Sequence, residues 1–467
     1  MNPLLYDFEQ NKLAFIAEPQ PTIEVRKNRI QRLINMLNEN EENLCKVIEA
    51  DFGYRHPVET QLAEIIAIRQ EATSTLKQLN SWLKPVKVKT PFHLWPSTSY
   101  LLPQAKGVIG IMSPWNYPLS LALMPTISAL AAGNRVWIKP SDRSPRTSGY
   151  LASLISQYFN PFEIQVINGG PEISEYFANL PFDHLFFTGS TATGQLVSKA
   201  AAENLTPLTL ELGGKSPVVI DTTASVKDCA SRVLYGKLLN AGQTCIAPDY
   251  ILVPHTLRDE LIGHLKDAYA SMYAEKTQLT NAIDERQESR WTALLEDAKL
   301  KGAQLIPLGD THHPLNSFLP TLIIDPISTT KIMQEEIFGP ILPIISYSEL
   351  SEAITFINSK PHPLAMYWFG RHRGRLNQLL EQTQAGGITV NDILLHFSNP
   401  NLPFGGIGAS GMGGYHGQYG FNTFTHFKPV LSMRGFLGLR RLGGTKLAHP
   451  PYGEKIAYLM KILGKKK

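Results

Sequence analysis

Two short stretches carry residue types suited to covalent chemistry. They read Thr-Leu-Glu-Leu-Gly-Gly-Lys-Ser-Pro at 209–217 and Asn-Ala-Gly-Gln-Thr-Cys-Ile-Ala-Pro at 240–248. The first sets a carboxylate, Glu211, before a Gly-Gly turn, and the second sets a thiol, Cys245, among small and polar residues. A thiol attacks as its thiolate, and its free pKa is about 8.5. A carboxylate beside it can serve as base for the thiol or for a water. Taken alone, a cysteine is more often a small buried hydrophobe and a glutamate a surface residue. Gly213, Gly214, Gly242 and Pro248 turn the balance, because they mark shaped loops rather than helix or strand interiors.

The elements that must position these groups follow from the hydrophobic pattern. Residues 104–170 alternate short apolar runs (107–112, 135–139, 165–167) with helical stretches (117–132, 145–159). A further strand at 184–188 and a helix at 193–203 continue the series. This is a βαβ pattern and predicts an α/β fold with a parallel sheet. A dinucleotide would sit beyond the carboxyl ends of its strands, so the residues just after them are candidates. Ser113, Trp115 and Asn116 follow the first strand. The Asn116 amide either donates to a developing oxyanion or caps the next helix. Lys139, Ser141 and Asp142 follow the second, where a lysine and a short acid suit ribose hydroxyls, with Arg143 and Arg146 close by. Thr188-Gly-Ser-Thr-Ala-Thr-Gly194 follows 184–188. It is not Gly-x-Gly-x-x-Gly, yet a Gly/Ser/Thr turn opening a helix offers N–H groups to a pyrophosphate. Residues 213–390 predict a second α/β unit, with strands at 218–220, 250–253 and 304–307 and helices at 224–240 and 257–273. Helices are also predicted at 24–50, with a break near 38–43, and at 57–83. Pro85, Pro91, Pro96 and Pro103 interrupt alternating apolar residues and predict an exposed hairpin or arm.

Glu-Leu-Gly-Gly-Lys-Ser-Pro followed by Gly-Gln-Thr-Cys resembles the paired active-site signature of the aldehyde dehydrogenase superfamily. The Cys-Ile-Ala-Pro-Asp-Tyr continuation at 245–250 resembles its class 3 and fatty-aldehyde branch. The run through Gly107-Val-Ile-Gly, Ser113-Pro-Trp-Asn-Tyr-Pro118 and Ala131-Ala-Gly-Asn-Arg135 looks most like bacterial coniferyl aldehyde dehydrogenases. The resemblance implies two Rossmann-like parallel-sheet domains plus a small β oligomerisation arm. Residues 1–84 and 104–212 would bind NAD or NADP, 213–390 would be catalytic, and 85–103 with 391–430 would form the arm and its return. It implies Cys245 as nucleophile, Glu211 as base for water and Asn116 as oxyanion donor. Ser113, Trp115, Lys139, Ser141, Asp142, Gly189, Ser190, Gly194, Leu212, Gly213, Glu336 and Phe338 would hold the cofactor. Tyr415 and His416 would border the substrate cleft. Asp142 stands where the family usually has a longer Glu, which leaves NAD against NADP open. The implied reaction is NAD(P)-dependent oxidation of an aldehyde to an acid through a Cys245 thioester. The substrate would be aromatic, such as coniferyl aldehyde, or a medium- or long-chain aliphatic aldehyde. A CoA-acylating reaction is the alternative that Glu211 argues against, and intact Cys245, Glu211 and Asn116 argue against a non-catalytic relative. A homodimer would bury the arm.

The whole chain fits this class. Its 467 residues exceed one ordinary core and predict two or three domains. With 43% hydrophobic and 18% charged residues the chain is globular. A net charge of +4 gives no reason to expect nucleic acid. Three cysteines (Cys45, Cys229, Cys245) set neither a disulfide framework nor a metal site, and suit a reducing, cytoplasmic setting. Residues 431–467 depart from the rest as a basic amphipathic tail. Its 450–467 portion either packs on the enzyme near the substrate entrance or makes weak peripheral contact with an anionic membrane.

Overall fold

The structure, a computed structural model, describes residues 3–94, 97–273, 278–309, 318–433 and 449–463. The expected parallel sheet is present. From edge to edge its strands are Gly411–Met412, Leu208–Glu211, His184–Thr188, Val108–Met112, Arg135–Lys139 and Ile164–Val166. All pair parallel except Gly411–Met412, which runs antiparallel to Leu208–Glu211. Every residue of the strands at 108–112, 135–139 and 184–188 is buried. That accounts for continuous apolar runs where a half-exposed strand would alternate. Strand order grows outward from Val108–Met112 on one side, then returns to its other flank with His184–Thr188. The crevice beyond the carboxyl ends of these two neighbours is therefore a topological switch point, the place where such sheets bind ligands.

A second sheet runs Gln304–Pro307, Thr321–Ile324, Ile341–Tyr347, Tyr250–Pro254, Pro217–Ile220, Ala365–Phe369 and Gly387–Val390. Its pairings are parallel except for the antiparallel edge strand Gln304–Pro307. The proline-rich stretch forms a three-stranded antiparallel sheet of Val86–Val88, Thr98–Ala105 and Thr425–Ser432. Its outer strand, Val86–Val88, is exposed at every residue. Pro96 falls outside the described residues.

The expected break at 38–43 is absent. Ile23–Phe52 is one continuous helix. The polar run Asn38-Glu-Asn-Glu-Glu-Asn43 is its solvent side, while Leu37 and Leu44, seven residues apart, are both buried. The run is also anchored, with Asn40 accepting from Tyr150 at 3.0 Å and Glu41 pairing with Arg69 at 2.6 Å. Residues 57–82 are helical as expected, but a six-residue π-helix, Gln61–Ile66, interrupts the α geometry. Helix Pro3–Ala17 was not anticipated; its Phe8 packs edge-on against Trp137 and Phe182 at 5.4 and 5.0 Å.

Glu163 ties the long helix to the first sheet, pairing with Arg29 at 3.0 Å and Arg32 at 2.7 Å. Burial opposes the charge, but the Arg32 contact, the Asn160 main-chain N–H and Arg29 outweigh it and hold the carboxyl below its ordinary value. The stability this contributes is present above the unfolded carboxylate pKa and is lost as pH falls through the lower, folded value. Glu163→Ala should destabilise the fold by about 2 kcal/mol at pH 7. Denaturant unfolding should show the difference shrinking below roughly pH 4.

Candidate active site

The thiol sits in a loop that no regular element supports. After helix Val226–Leu238, residues Asn240, Ala241 and Gly242 take φ values of 54°, 52° and 74°. Left-handed residues are costly outside glycine, and at 242 a Cβ would come within 2.4 Å of the Gly339 carbonyl oxygen. Side chains hold this path. Fully buried Gln243 donates to the Asn240 and Asn281 carbonyls at 3.0 and 2.9 Å and accepts from the Ile283 N–H at 3.0 Å. The Asn240 amide donates to the Asn116 carbonyl at 3.0 Å, and the Asn116 amide donates to the Gln243 carbonyl at 3.0 Å. The next residue along, Tyr117, bonds through its hydroxyl to Thr244 at 2.7 Å. Asn116 is therefore locked to the nucleophile loop. An amide has two N–H donors, and the bond to Gln243 uses one.

Cys245 follows in a turn closed by Ala247 N–H to the Thr244 carbonyl at 3.0 Å, and it is half-buried. Desolvation, then the carboxylates of Glu336 and Glu211, push its thiol up to about 12, against the pull of the main-chain N–H groups of Cys245 and Ile246. Glu211 ends its strand between His184–Thr188 and Gly411–Met412. It is 2% exposed, and neither carboxylate oxygen has a hydrogen-bond partner among the described residues. Burial raises its pKa well above the ordinary carboxylate value. Glu336 presses on Gly213, where a Cβ would meet its oxygen at 2.1 Å. Burial, then Asp249, push Glu336 up to about 8. Asp249 itself is held by Lys215 and by the Ile337 N–H at 2.9 Å. The other two cysteines lie in helices Ile23–Phe52 and Val226–Leu238, with burial pushing Cys45 up to about 11 and Cys229 to about 12.

A cleft of about 500 Å³ opens at the switch point of the first sheet. It is lined by Ser113, Trp115, Lys139, Ser141, Asp142, Gly189 and Ser190, among others. Its polar equipment fits a dinucleotide. The buried hydroxyls of Ser113 and Thr188 have no partner among the described residues. Helix Thr191–Glu203 begins there, with Ser190 as its N-cap, which suits phosphate oxygens. Gly194 lies within that helix and lets it approach Leu212, which a Cβ would meet at 2.7 Å. Phe338, at φ 48°, packs edge-on against Trp115 at 5.5 Å. Arg143 also lines the cleft but is engaged: it pairs with Asp284 through two bonds of 2.8 and 2.7 Å and lies 4.4 Å over the Trp115 ring. Arg146 contributes a main-chain N–H to Asp51 at 3.0 Å.

Tyr415 and His416 lie elsewhere. The Tyr415 hydroxyl is within electrostatic reach of Glu211, Cys245 and Glu71. His416 borders a separate small cavity of about 50 Å³, together with Leu62, Glu71, Met124, Phe397 and Pro400. Both its ring nitrogens lack partners among the described residues, as does Glu71 Oε2. Glu71 Oε1 accepts from the Gly417 N–H at 2.8 Å. Burial pushes Glu71 up to about 7 and His416 down to about 3.

Sequence reasoning missed Arg55, Glu59, Glu64, Glu71 and Asp249. A signal existed for two of them. Thr60, Glu64, Ile68, Glu71, Thr75 and Leu79 recur at helical spacing and are all buried, so two acids stand in the apolar stripe.

The sequence matches the aldehyde dehydrogenase family over residues 9–430. It is 40% identical to a probable coniferyl aldehyde dehydrogenase of Pseudomonas aeruginosa over 464 residues, 98% of this chain and 96% of that one. The substrate-bound structure of Staphylococcus aureus AldH superposes with a TM-score of 0.93 at 38% identity and covers all of both chains. A Mycobacterium tuberculosis aldehyde dehydrogenase complexed with NAD+ superposes at 0.80 with 28% identity, over 88% of this chain and 86% of that one. Family and fold agree: the chain belongs to the aldehyde dehydrogenase family and is an aldehyde dehydrogenase.

Proposed function

We propose that the enzyme oxidises a hydroxylated aromatic aldehyde, of which coniferyl aldehyde is the type, to its carboxylic acid with water as the acyl acceptor. The observation that carries the mechanism is Glu211: a buried carboxylate with both oxygens unpartnered among the described residues, acting electrostatically on the Cys245 thiol. Such a group is costly unless it has a task. In the proposed cycle the Cys245 thiol gives up its proton to solvent water, and the thiolate sulfur bonds to the aldehyde carbon as the carbonyl π electrons pass to oxygen. The resulting oxyanion accepts from the Cys245 main-chain N–H and the second Asn116 N–H. A nicotinamide held in the cleft would supply the hydride acceptor for the former aldehyde C–H. Loss of that hydride leaves a thioester on Cys245. Glu211 takes a proton from water as the water oxygen bonds to the acyl carbon, and the thiolate leaves. Glu211 can do this only when ionised, so turnover rises with pH through its elevated pKa. Ser113, Lys139, Ser141, Gly189, Ser190 and Glu336 would hold the cofactor, with Trp115 and Phe338 close by. A base placed for water supports hydrolysis over transfer to CoA.

The substrate class rests on Glu71 and His416. Their unpartnered polar atoms face a cavity otherwise walled by Leu62, Ala67, Met124, Phe397 and Pro400. An aromatic ring carrying a hydroxyl would satisfy both parts. An aliphatic aldehyde met at a membrane surface is the second reading. It is favoured by the tail helix Glu454–Leu463, whose Met460 is exposed beside Lys461. No helix among the described residues is long and apolar enough to cross a membrane. Exposed Val86 and Val88 on the arm's outer strand support a homodimer. The Asp142 carboxylate, together with an Arg143 committed to Asp284, supports NAD over NADP, since a 2′-phosphate there would meet an anion.

Cys245→Ala should abolish turnover while cofactor binding, followed by fluorescence, persists. Glu211→Gln should keep a burst of reduced cofactor near one per site and then turn over slowly, without the wild-type rise in kcat with pH. Loss of the burst would give Glu211 an earlier role. In an aldehyde panel, 4-hydroxycinnamaldehyde should exceed cinnamaldehyde in kcat/KM by about tenfold or more, and His416→Phe should bring that ratio near one. Hexadecanal outperforming both would favour the second reading. Measured side by side, kcat/KM with NAD should exceed that with NADP, and equal values would remove the role given to Asp142.

A further inference from the structure

Arg55 and Glu64 form an ion pair at 3.0 Å in which neither side chain is exposed. Burying two charges is costly, and well-packed apolar residues usually serve stability as well. What the pair grips is therefore informative. Arg55 Nη1 also donates to the main-chain carbonyl of Asn116 at 3.3 Å. Glu64 Oε2 accepts from the N–H groups of Leu119 and Ser120 at 2.7 and 3.2 Å. These open helix Ser120–Ala132, which has no capping side chain from its own N-cap residue. The two charges thus clasp the strand-to-helix junction on both sides of Asn116. The guanidinium lies between the rings of Phe52 and Tyr117, at 5.2 and 5.0 Å. Tyr117 in turn reaches Thr244, the neighbour of Cys245.

A second observation points the same way. Glu64 lies within the π-helical turn Gln61–Ile66. Such turns are rare, and they concentrate at functional sites. Here the departure from α geometry coincides with the residue that reaches the Asn116 junction. Glu64 belongs to a helical segment and Arg55 to the loop just before it, and neither lies in a strand of the two large sheets.

We propose that Arg55 and Glu64 are positioning residues for the oxyanion site, fixing the Asn116 backbone so that its free amide N–H keeps its direction. Without them, the Asn116 carbonyl retains the 3.0 Å bond from Asn240. The inference rests on the reading of Asn116 as oxyanion donor.

The test is a mutant cycle on the full-length enzyme with saturating cofactor and one aldehyde. Asn116→Ala should lower kcat about 100-fold. The double variant Arg55→Met with Glu64→Leu replaces the pair by apolar side chains. It should lower kcat about tenfold or more, while the aldehyde KM stays within about threefold. Added to Asn116→Ala, the same two substitutions should cost less than about twofold further. Thermal melts confirm that each variant is folded; if the double variant is not, Arg55→Lys and Glu64→Gln run the same cycle. Full, additive losses in the Asn116→Ala background would overturn the inference while leaving Asn116 its role. An undiminished kcat in Asn116→Ala alone would overturn both.

Discussion

The nucleophile has to be presented from backbone that is neither helix nor strand and is nevertheless buried. Asn240, Ala241 and Gly242 all sit at positive φ, and none of the three is exposed. Such a segment cannot satisfy its own N–H and C=O groups, and each one left unpaired would cost about as much as a lost hydrogen bond. The surrounding structure is built to answer that constraint. Gln243 uses its amide in three directions, the Asn240 side chain donates to the Asn116 carbonyl, the Asn116 side chain donates to the Gln243 carbonyl, and Glu59 receives the Asn240 N–H together with the Thr280 hydroxyl. The rigidity that catalysis needs at Cys245 and the satisfaction that folding needs at 240–243 come from the same hydrogen bonds.

Electrostatics in the free enzyme run against the nucleophile. Cys245 has two carboxyl groups acting on it and only its own loop's N–H groups in its favour. Glu211 and Glu336 are themselves held toward their neutral forms by burial. Burial therefore disfavours the charged form of all three groups. That protects the thiol from adventitious oxidation, because reactivity follows thiolate content.

The sequence exposed the chemistry more readily than its supports. Cys245 and Asn116 stand in loops, and Glu211 at a strand end before a Gly-Gly turn, where glycines and prolines announce shaped backbone, so a local reading picks out all three as candidates. The strands at 108–112, 135–139 and 184–188 were plain because burial on both faces removes polar residues entirely. The helix at 23–52 was misjudged because a polar run looks alike whether it ends a helix or faces water; only the bonds to Tyr150 and Arg69, far along the chain and unseen in a local window, decide. Arg55 was invisible for the same reason. Its partners lie 9 and 61 positions away, and nothing about an arginine tells whether it will be solvated or sealed between two rings. The turn at 188–194 shows no familiar glycine spacing; its candidacy as a cofactor turn rests on the helix N-terminus it opens and on the hydroxyls of Ser113 and Thr188, buried without partners among the described residues.

The pairing of Leu208–Glu211 with Gly411–Met412 bears on how the molecule is made. Leu212 N–H also bonds to the Ser410 carbonyl at 3.0 Å. During synthesis the strand bearing Glu211 emerges well before its second neighbour, Gly411–Met412, which lies 200 residues further along, counted from Glu211 to Gly411. Until then that sheet has an open flank, a site where foreign strands can add. The burial of Glu211 on that flank is therefore completed only when residues 410–412 dock, so a chain lacking them would leave this carboxylate more hydrated.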